Sequence, residues 1–357
     1  MVVTCYPVNG DERYRAGQTM TLNLDGTAFR RGMAALAGAA LLAATAGPVR
    51  ASEPIRPIPR EVAVPEAKAE LGRKLFRDPR LSSDGTVSCA TCHPLARGGA
   101  DNRPVSRGVK GRKGPVNAPT VYNSRFNVAQ FWNGRAATLA EQVDGPLHDR
   151  NEMNATWDEV LPRLRKDDAY REAFGEVFPE RGITDETVAG AIAAFERTLI
   201  TPDSPVDQYL RGDEDALTEK EKAGYRLFKD YGCASCHQGA AVGGNMFQTF
   251  GAMGDYFEAR GGKVTAADLG RYTVTDDPAD RHVFKVPSLR LAALTPPYFH
   301  DASAGTLAEA VRVMGRFQLG REIPPKDVKR IVAFLEALVG KHPLLNAAPG
   351  ERESARK

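Results

Sequence analysis

Two stretches of the chain repeat apolar residues at helical spacing. One runs Ala191-Ile192-Ala193-Ala194-Phe195-Glu196-Arg197-Thr198-Leu199, the other Arg330-Ile331-Val332-Ala333-Phe334-Leu335-Glu336-Ala337-Leu338. This spacing predicts two amphipathic helices, each turning one face to a core. Asp185 and Asp327 stand near the predicted helix starts, where an acidic side chain suits the positive end of the dipole. Upstream of each helix lies a second matching pair. Glu70-Leu71-Gly72-Arg73-Lys74-Leu75-Phe76 and Lys222-Ala223-Gly224-Tyr225-Arg226-Leu227-Phe228 share the pattern Gly-x-x-Leu-Phe on a short helix. The chain therefore reads as an internal repeat. Strand-type alternation is scarce, so the expected class is all-α, with two small helical domains in tandem. The two prolines of Thr201-Pro202-Asp203-Ser204-Pro205 discourage a continuing helix and mark the boundary. The expected domains are residues 52–202 and 203–345, with 346–357 as a tail.

The first fifty residues break this pattern. Arg30-Arg31 precedes an apolar run of small residues from Gly32 to Gly47, which ends near Val49-Arg50-Ala51. The run resembles an export signal cleaved after Ala51. It is short for a bilayer span, although an uncleaved anchor is the competing reading. Residues 1–51 are thus expected to be a targeting segment and the mature protein to be periplasmic. Met20 is an alternative start to Met1.

Composition narrows the picture further. Hydrophobic residues make up 42% of the 357-residue chain and charged residues 26%, as in a soluble globular protein. A net charge of +3 with no lysine- or arginine-rich run argues against nucleic acid as a partner. Of five cysteines, Cys5 lies in the targeting segment. The other four fall in Cys89-Ala90-Thr91-Cys92-His93 and Cys233-Ala234-Ser235-Cys236-His237, so none is left for a structural disulfide.

A Cys-x-x-Cys-His motif has a direct chemical reading. The two thiols bond to the vinyl carbons of a haem, and the adjacent imidazole binds the iron. Zinc is the main competitor, but its cysteine pairs usually stand much closer in sequence. A thioredoxin-like motif would need a βαβ context, which is absent. Two covalently bound c-type haems are expected, on two cytochrome c-like domains. Gly98-Gly99 and Gly243-Gly244 follow the motifs and read as loops that pack backbone against a flat cofactor.

Function then depends on the sixth iron ligands. A haem with two strong protein ligands carries electrons, while an open one can bind peroxide or oxygen. In the second half the candidates are Met246, Met253, His282, His300 and Met314, and spacing alone does not choose among them. In the first half, beyond His93, only His148 and Met153 are available before the boundary, so an open first haem is expected.

Several dispersed segments resemble the bacterial dihaem cytochrome c peroxidases. They are Gly114-Pro115-Val116-Asn117-Ala118-Pro119-Thr120, Gln130-Phe131-Trp132-Asn133-Gly134-Arg135-Ala136, Val286-Pro287-Ser288-Leu289-Arg290 and Pro297-Tyr298-Phe299-His300-Asp301. The resemblance covers nearly all of the mature chain. It implies a low-potential, peroxide-reducing haem at His93 and a high-potential electron-entry haem held by His237 and Met314, fourteen residues beyond His300. Methionine opposite histidine raises the potential. It also implies Trp132 between the haems, Glu152 as the distal acid, and Gln142 as the distal amide. Asn117, Thr295 and Pro297 match an inter-domain calcium site. The substrate would be hydrogen peroxide, and the donor a small cytochrome c or cupredoxin. Homodimers are common in the family.

One departure matters. Family members mostly carry a histidine between the first haem motif and the Gly-Pro-Val-Asn segment, which caps the peroxidatic haem at rest. Here the stretch is Ser106-Arg107-Gly108-Val109-Lys110-Gly111-Arg112-Lys113, with Val109 in that place. Valine cannot ligate iron, and Lys110 or Lys113 would first have to lose a proton. The first haem is therefore expected to be open without reductive activation. His148, four residues before Glu152, would reach the distal site only on a helix, which Pro146 disfavours. Two rivals remain. A MauG-type enzyme oxidising a protein substrate shares the open haem but uses a tyrosine where Met314 stands. A non-catalytic electron carrier or redox sensor needs no distal acid such as Glu152.

Overall fold

The computed structural model describes residues 53–345. The targeting segment (1–51) and the tail (346–357) lie outside the described residues. The first half carries α1 (Glu66–Phe76), the haem-motif turn α2 (Cys89–Cys92), α3 (Leu139–Gln142), α4 (Asp144–His148), α5 (Trp157–Arg165), α6 (Asp168–Val177) and α7 (Asp185–Thr198). The second carries α8 (Pro205–Leu210), α9 (Glu219–Asp230), α10 (Tyr256–Arg260), α11 (Tyr272–Thr275), α12 (Leu307–Val313) and α13 (Pro325–Glu336).

The repeat seen in the sequence becomes two equivalent helix crossings. α1 packs along α7, and α9 along α13. Each crossing is closed by the glycine of Gly-x-x-Leu-Phe. A Cβ on Gly72 would lie 1.9 Å from the Ala191 carbonyl oxygen, and one on Gly224 2.0 Å from that of Arg330. Only glycine lets the backbones approach this closely. The phenylalanines then meet: Phe76 with Phe195 edge-on at 5.3 Å, Phe228 with Phe334 at 5.1 Å. Threonine caps start the long helices, Thr184 before α7 and Thr218 before α9.

Two apolar cores result. Leu71, Leu75, Phe76, Val188, Ile192 and Phe195 anchor the first; Tyr225, Phe228, Val328, Ile331 and Phe334 anchor the second. The ends of the described chain cross over. Ile55 joins the second core, and its neighbour Arg56 donates to Gly239 just after the second haem motif. Leu345 joins the first core, and His342 packs edge-on against Tyr122. Residues from Glu53 onward accordingly cluster as one compact unit.

The fold is all-α apart from one small ribbon. β1 (Phe247–Thr249) pairs antiparallel with β2 (Val283–Lys285), Phe247 opposite Lys285 and Thr249 opposite Val283. Three-residue strands are too short to show a period in the sequence. This ribbon nevertheless positions the junction between the halves, because the Lys285 N–H donates to the Trp132 carbonyl at 2.8 Å.

Candidate active site: two haem cavities

Each cysteine pair opens on its own cavity. The first, about 380 Å³, is lined by Cys89, Cys92 and His93; the second, about 250 Å³, by Cys233, Cys236 and His237. Their walls are largely aliphatic and aromatic, with Val87, Leu139, Val143 and Ile192 in the first and Phe228, Val311, Ile331 and Leu335 in the second. The four thiols form no disulfide, although each pair lies within one turn. Burial pushes the Cys89 thiol up to about 12 and those of Cys92 and Cys233 up to about 11. Protonated thiols split between two cavities do not make a four-thiolate zinc site. They fit two flat, apolar groups attached by thioethers.

The two motif histidines share one hydrogen-bond geometry, which would suit iron ligation through Nε2. His93 Nδ1–H donates to the Gly99 carbonyl at 3.0 Å, and His237 Nδ1–H to that of Val242 at 3.3 Å. A carbonyl only accepts, so Nδ1 carries the proton and Nε2 keeps its lone pair. Burial lowers the pKa of both rings, that of His237 to about 4, which keeps them neutral. The glycine pairs after each motif serve this arrangement. Gly99 supplies the accepting carbonyl at φ 73°, and Gly243 lies so close to Pro287 that a Cβ would sit 2.1 Å from its carbonyl oxygen.

The five candidate ligands of the second half separate clearly. Met253 is 58% exposed, and neither Met246 nor His282 lines the His237 cavity. His282 Nδ1 faces the Asp268 carbonyl at 2.7 Å, with its ring stacked on Phe257. His300 does line the cavity, but its Nε2 is 2.8 Å from Asp268 Oδ1. Asp268, His300 and Asp301 could hold an ion by distance. Arg260 already supplies the positive charge, at 2.8 Å from Asp268 and 2.7 Å from Asp301. Met314 also lines the cavity, where α12 passes into the π-helical turn Met314–Gln318. π-turns often aim side chains at functional sites.

The His93 cavity differs in its polar lining. Glu152 and Gln142 both face it, with Arg135 and Asp149. Glu152 is placed by a tight turn: its N–H donates to the Asp149 carbonyl at 2.9 Å, and its carbonyl accepts from Val109 N–H at 2.8 Å. Burial and the nearby Asp149 carboxylate push the Glu152 pKa up to about 7, against an opposing pull from Arg135. The 106–113 loop closes on this turn. A Cβ on Gly108 would meet the Asn151 and Glu152 carbonyl oxygens at 2.2 Å. Val109 points into the first apolar core, while Lys110 and Lys113 are exposed and absent from the cavity wall. A short helix does form over Asp144–His148, because proline in a first turn breaks no helical hydrogen bond. His148 still faces solvent, edge-on to Trp157, and does not line the cavity. Met153 lines it from within the core.

Trp132 lines both cavities, and its indole N–H donates to the Asn117 carbonyl at 2.9 Å. Asn117, Thr295 and Pro297 all line the His237 cavity. The Asn117 amide donates to the Arg103 carbonyl at 2.8 Å, leaving its Oδ1 free to accept. The Thr295 and Pro297 carbonyls accept no hydrogen bond among the described residues. Three unspent oxygens suit a hard cation.

Sequence reasoning missed two buried charged groups. Glu196 on α7 faces the His93 cavity with one carboxyl oxygen unpartnered, and burial raises its pKa to about 8. Lys285 lines both cavities. The signal for Lys285 was a lysine inside the apolar run Val283-Phe284-Lys285-Val286. Glu196 offered none, since a helical glutamate is usually exposed.

The helical fold and two thiol-and-imidazole cavities define a two-haem protein of the c type. Residues 66–215 match the family model described as di-haem cytochrome c peroxidase. The chain is 51% identical over 294 residues to cytochrome c peroxidase Ccp of Escherichia coli, covering 82% of this chain but only 62% of that protein. It is 48% identical to cytochrome c551 peroxidase of Nitrosomonas europaea, covering 84% of this chain and 88% of the relative. The crystal structure of a MauG-like protein associated with microbial copper homeostasis superposes with a TM-score of 0.71 at 31% identity, over 82% of this chain and 97% of that one. The chain belongs to the di-haem cytochrome c peroxidase family.

Proposed function

We propose that this chain reduces hydrogen peroxide to water in the periplasm, with two electrons from a small cytochrome c or cupredoxin. The observation that carries the reading is Glu152, a carboxyl whose pKa burial raises to about 7 in the cavity that His93 also lines. A general acid–base group works best when its pKa lies near the working pH. A pure electron carrier has no use for one.

Bound haem supplies redox-active iron in each cavity, attached through Cys89 and Cys92 to the His93 side and through Cys233 and Cys236 to the His237 side. In the His93 cavity, ionised Glu152 accepts a proton from one peroxide oxygen and passes it to the other. Breaking the O–O bond would then release that second oxygen as water; two electrons, which the bound haems would supply, and two solvent protons account for the second water. Gln142 orients the peroxide by hydrogen bonding. Met314 closes the His237 side and favours electron entry there, and Trp132, in the common wall, bridges the two cavities. With Val109 in the core and His148 in solvent, the His93 side has no capping histidine and is ready without reductive activation. Asn117, Thr295 and Pro297 would hold a calcium ion. The two halves, 52–202 and 203–345, act as peroxidatic and electron-transfer domains. Methionine at 314, with no tyrosine beside it, favours this reading over a MauG-type oxidation of a protein substrate.

The test is steady-state oxidation of a reduced c-type cytochrome on addition of peroxide to the as-isolated holoprotein. Two molecules of donor should be oxidised per peroxide. No oxidation above the uncatalysed rate would reject the function.

A further inference from the structure

A buried cation stands in the wall shared by the two cavities. Lys285 closes β2, is 7% exposed, and lines both the His93 and the His237 cavity. Its backbone is fixed by the bond to Trp132 on one side and by pairing with Phe247 on the other. Burial alone lowers its pKa to about 8, with no acidic partner pulling the other way.

The surroundings sharpen the point. The wall of the His237 cavity contains no aspartate, glutamate or arginine, and its histidine ligand is neutral. Lys285 is its one strongly basic side chain. The His93 cavity, by contrast, has Glu152, Glu196, Asp149 and Arg135 in its wall. An ammonium taken from water without an anion is costly. The cost is met if the occupant of the cavity brings the anion. A haem presents apolar faces and two carboxylates, which match apolar walls with a single cation.

We propose that Lys285 is the internal counter-ion of the haem in the His237 cavity, pairing its ammonium with a haem carboxylate at the wall shared with the His93 cavity. A fixed positive charge there stabilises the reduced iron and raises its potential, because reduction removes one positive charge nearby. This inference rests on haem occupancy of the His237 cavity and not on peroxide reduction.

The experiment is a spectroelectrochemical titration of holoprotein without peroxide. Lys285→Met keeps length and volume but removes the charge. It should shift the reduction equilibrium of the methionine-capped haem about tenfold towards ferric, a fall of about 59 mV for one electron. Lys285→Arg should stay near the wild-type potential. An unchanged potential in K285M, or an equal fall in K285R, would overturn the proposal. Haem content gives a second readout with Lys285→Gln as a second neutral variant. If both neutral variants fail to take up haem at the second site while K285R succeeds, the charge is required there, as proposed. If K285R also fails, the residue is structural and the proposal is wrong.

Discussion

Glu152→Gln is expected to lower peroxide turnover by about 10²- to 10⁴-fold, the usual contribution of a positioned acid–base group. Glutamine keeps the shape of the side chain, so the turn from Asp149 to Glu152 and its contact with the Val109 loop should survive. What is lost is the ability to take a proton from one oxygen and give it to the other. The effect should therefore fall on kcat more than on KM. The pH profile carries the sign. The carboxylate is the working base in the first transfer, and burial places its pKa at about 7. Wild-type turnover should rise as pH increases through that value, and the variant should lose this limb. Equal turnover in the two proteins, at matched haem content, would remove Glu152 from the mechanism.

Arg290→Met is expected to cost about 3–5 kcal/mol of stability, because it strands a buried carboxylate. Arg290 and Asp207 are both fully buried, with Nη2 and Oδ1 2.7 Å apart. The same guanidinium donates to Ser204 Oγ at 2.9 Å, to the Ala240 carbonyl at 2.9 Å and to that of Arg56 at 3.2 Å. One side chain thus ties together the segment between the halves, the loop after the second haem motif and the N-terminal segment of the described chain. Asp207 also accepts from the backbone N–H groups of Ile58 and Ser204, so it stays in place when its cation is gone. Arg290→Lys should recover only part of the loss, since an ammonium lacks the fork that reaches four acceptors. Denaturant unfolding of the holoproteins measures both. A Met variant as stable as wild type would show the pair to be dispensable.

The parts of this molecule that were legible in the sequence are those set by local spacing. The two haem motifs, the Gly-x-x-Leu-Phe repeat and the helices that carry Ala-Phe at 194–195 and 333–334 are contiguous patterns, and each forms a local element or a repeated crossing. The proposed choice of Met314 from five candidates rests on something not local, namely which side chains reach one cavity; of those that do, His300 is already bonded to Asp268. The crossing of Ile55 to the second core and Leu345 to the first was likewise hidden, because short segments without periodicity carry no address. Glu152 stood out only through family resemblance, since an isolated glutamate is ordinarily a surface residue. Glu196 looks ordinary in sequence for the same reason, and only burial distinguishes it, whereas Lys285 interrupts an apolar run whose burial on both sides the sequence did not reveal.

The two repeats share motif, helix crossing and histidine geometry, yet their cavities differ where it counts. The His237 cavity has Met314 and a single buried cation in an apolar wall. The His93 cavity has acids and an amide in its wall and no histidine besides His93, with Val109 turned into the core. This inequality is the centre of the account, and electron paramagnetic resonance of the fully oxidised, as-isolated holoprotein tests it most directly. One low-spin ferric signal for the His237 side and one high-spin signal for the His93 side are predicted. Two low-spin signals with no high-spin species would show a capped first haem and contradict the account.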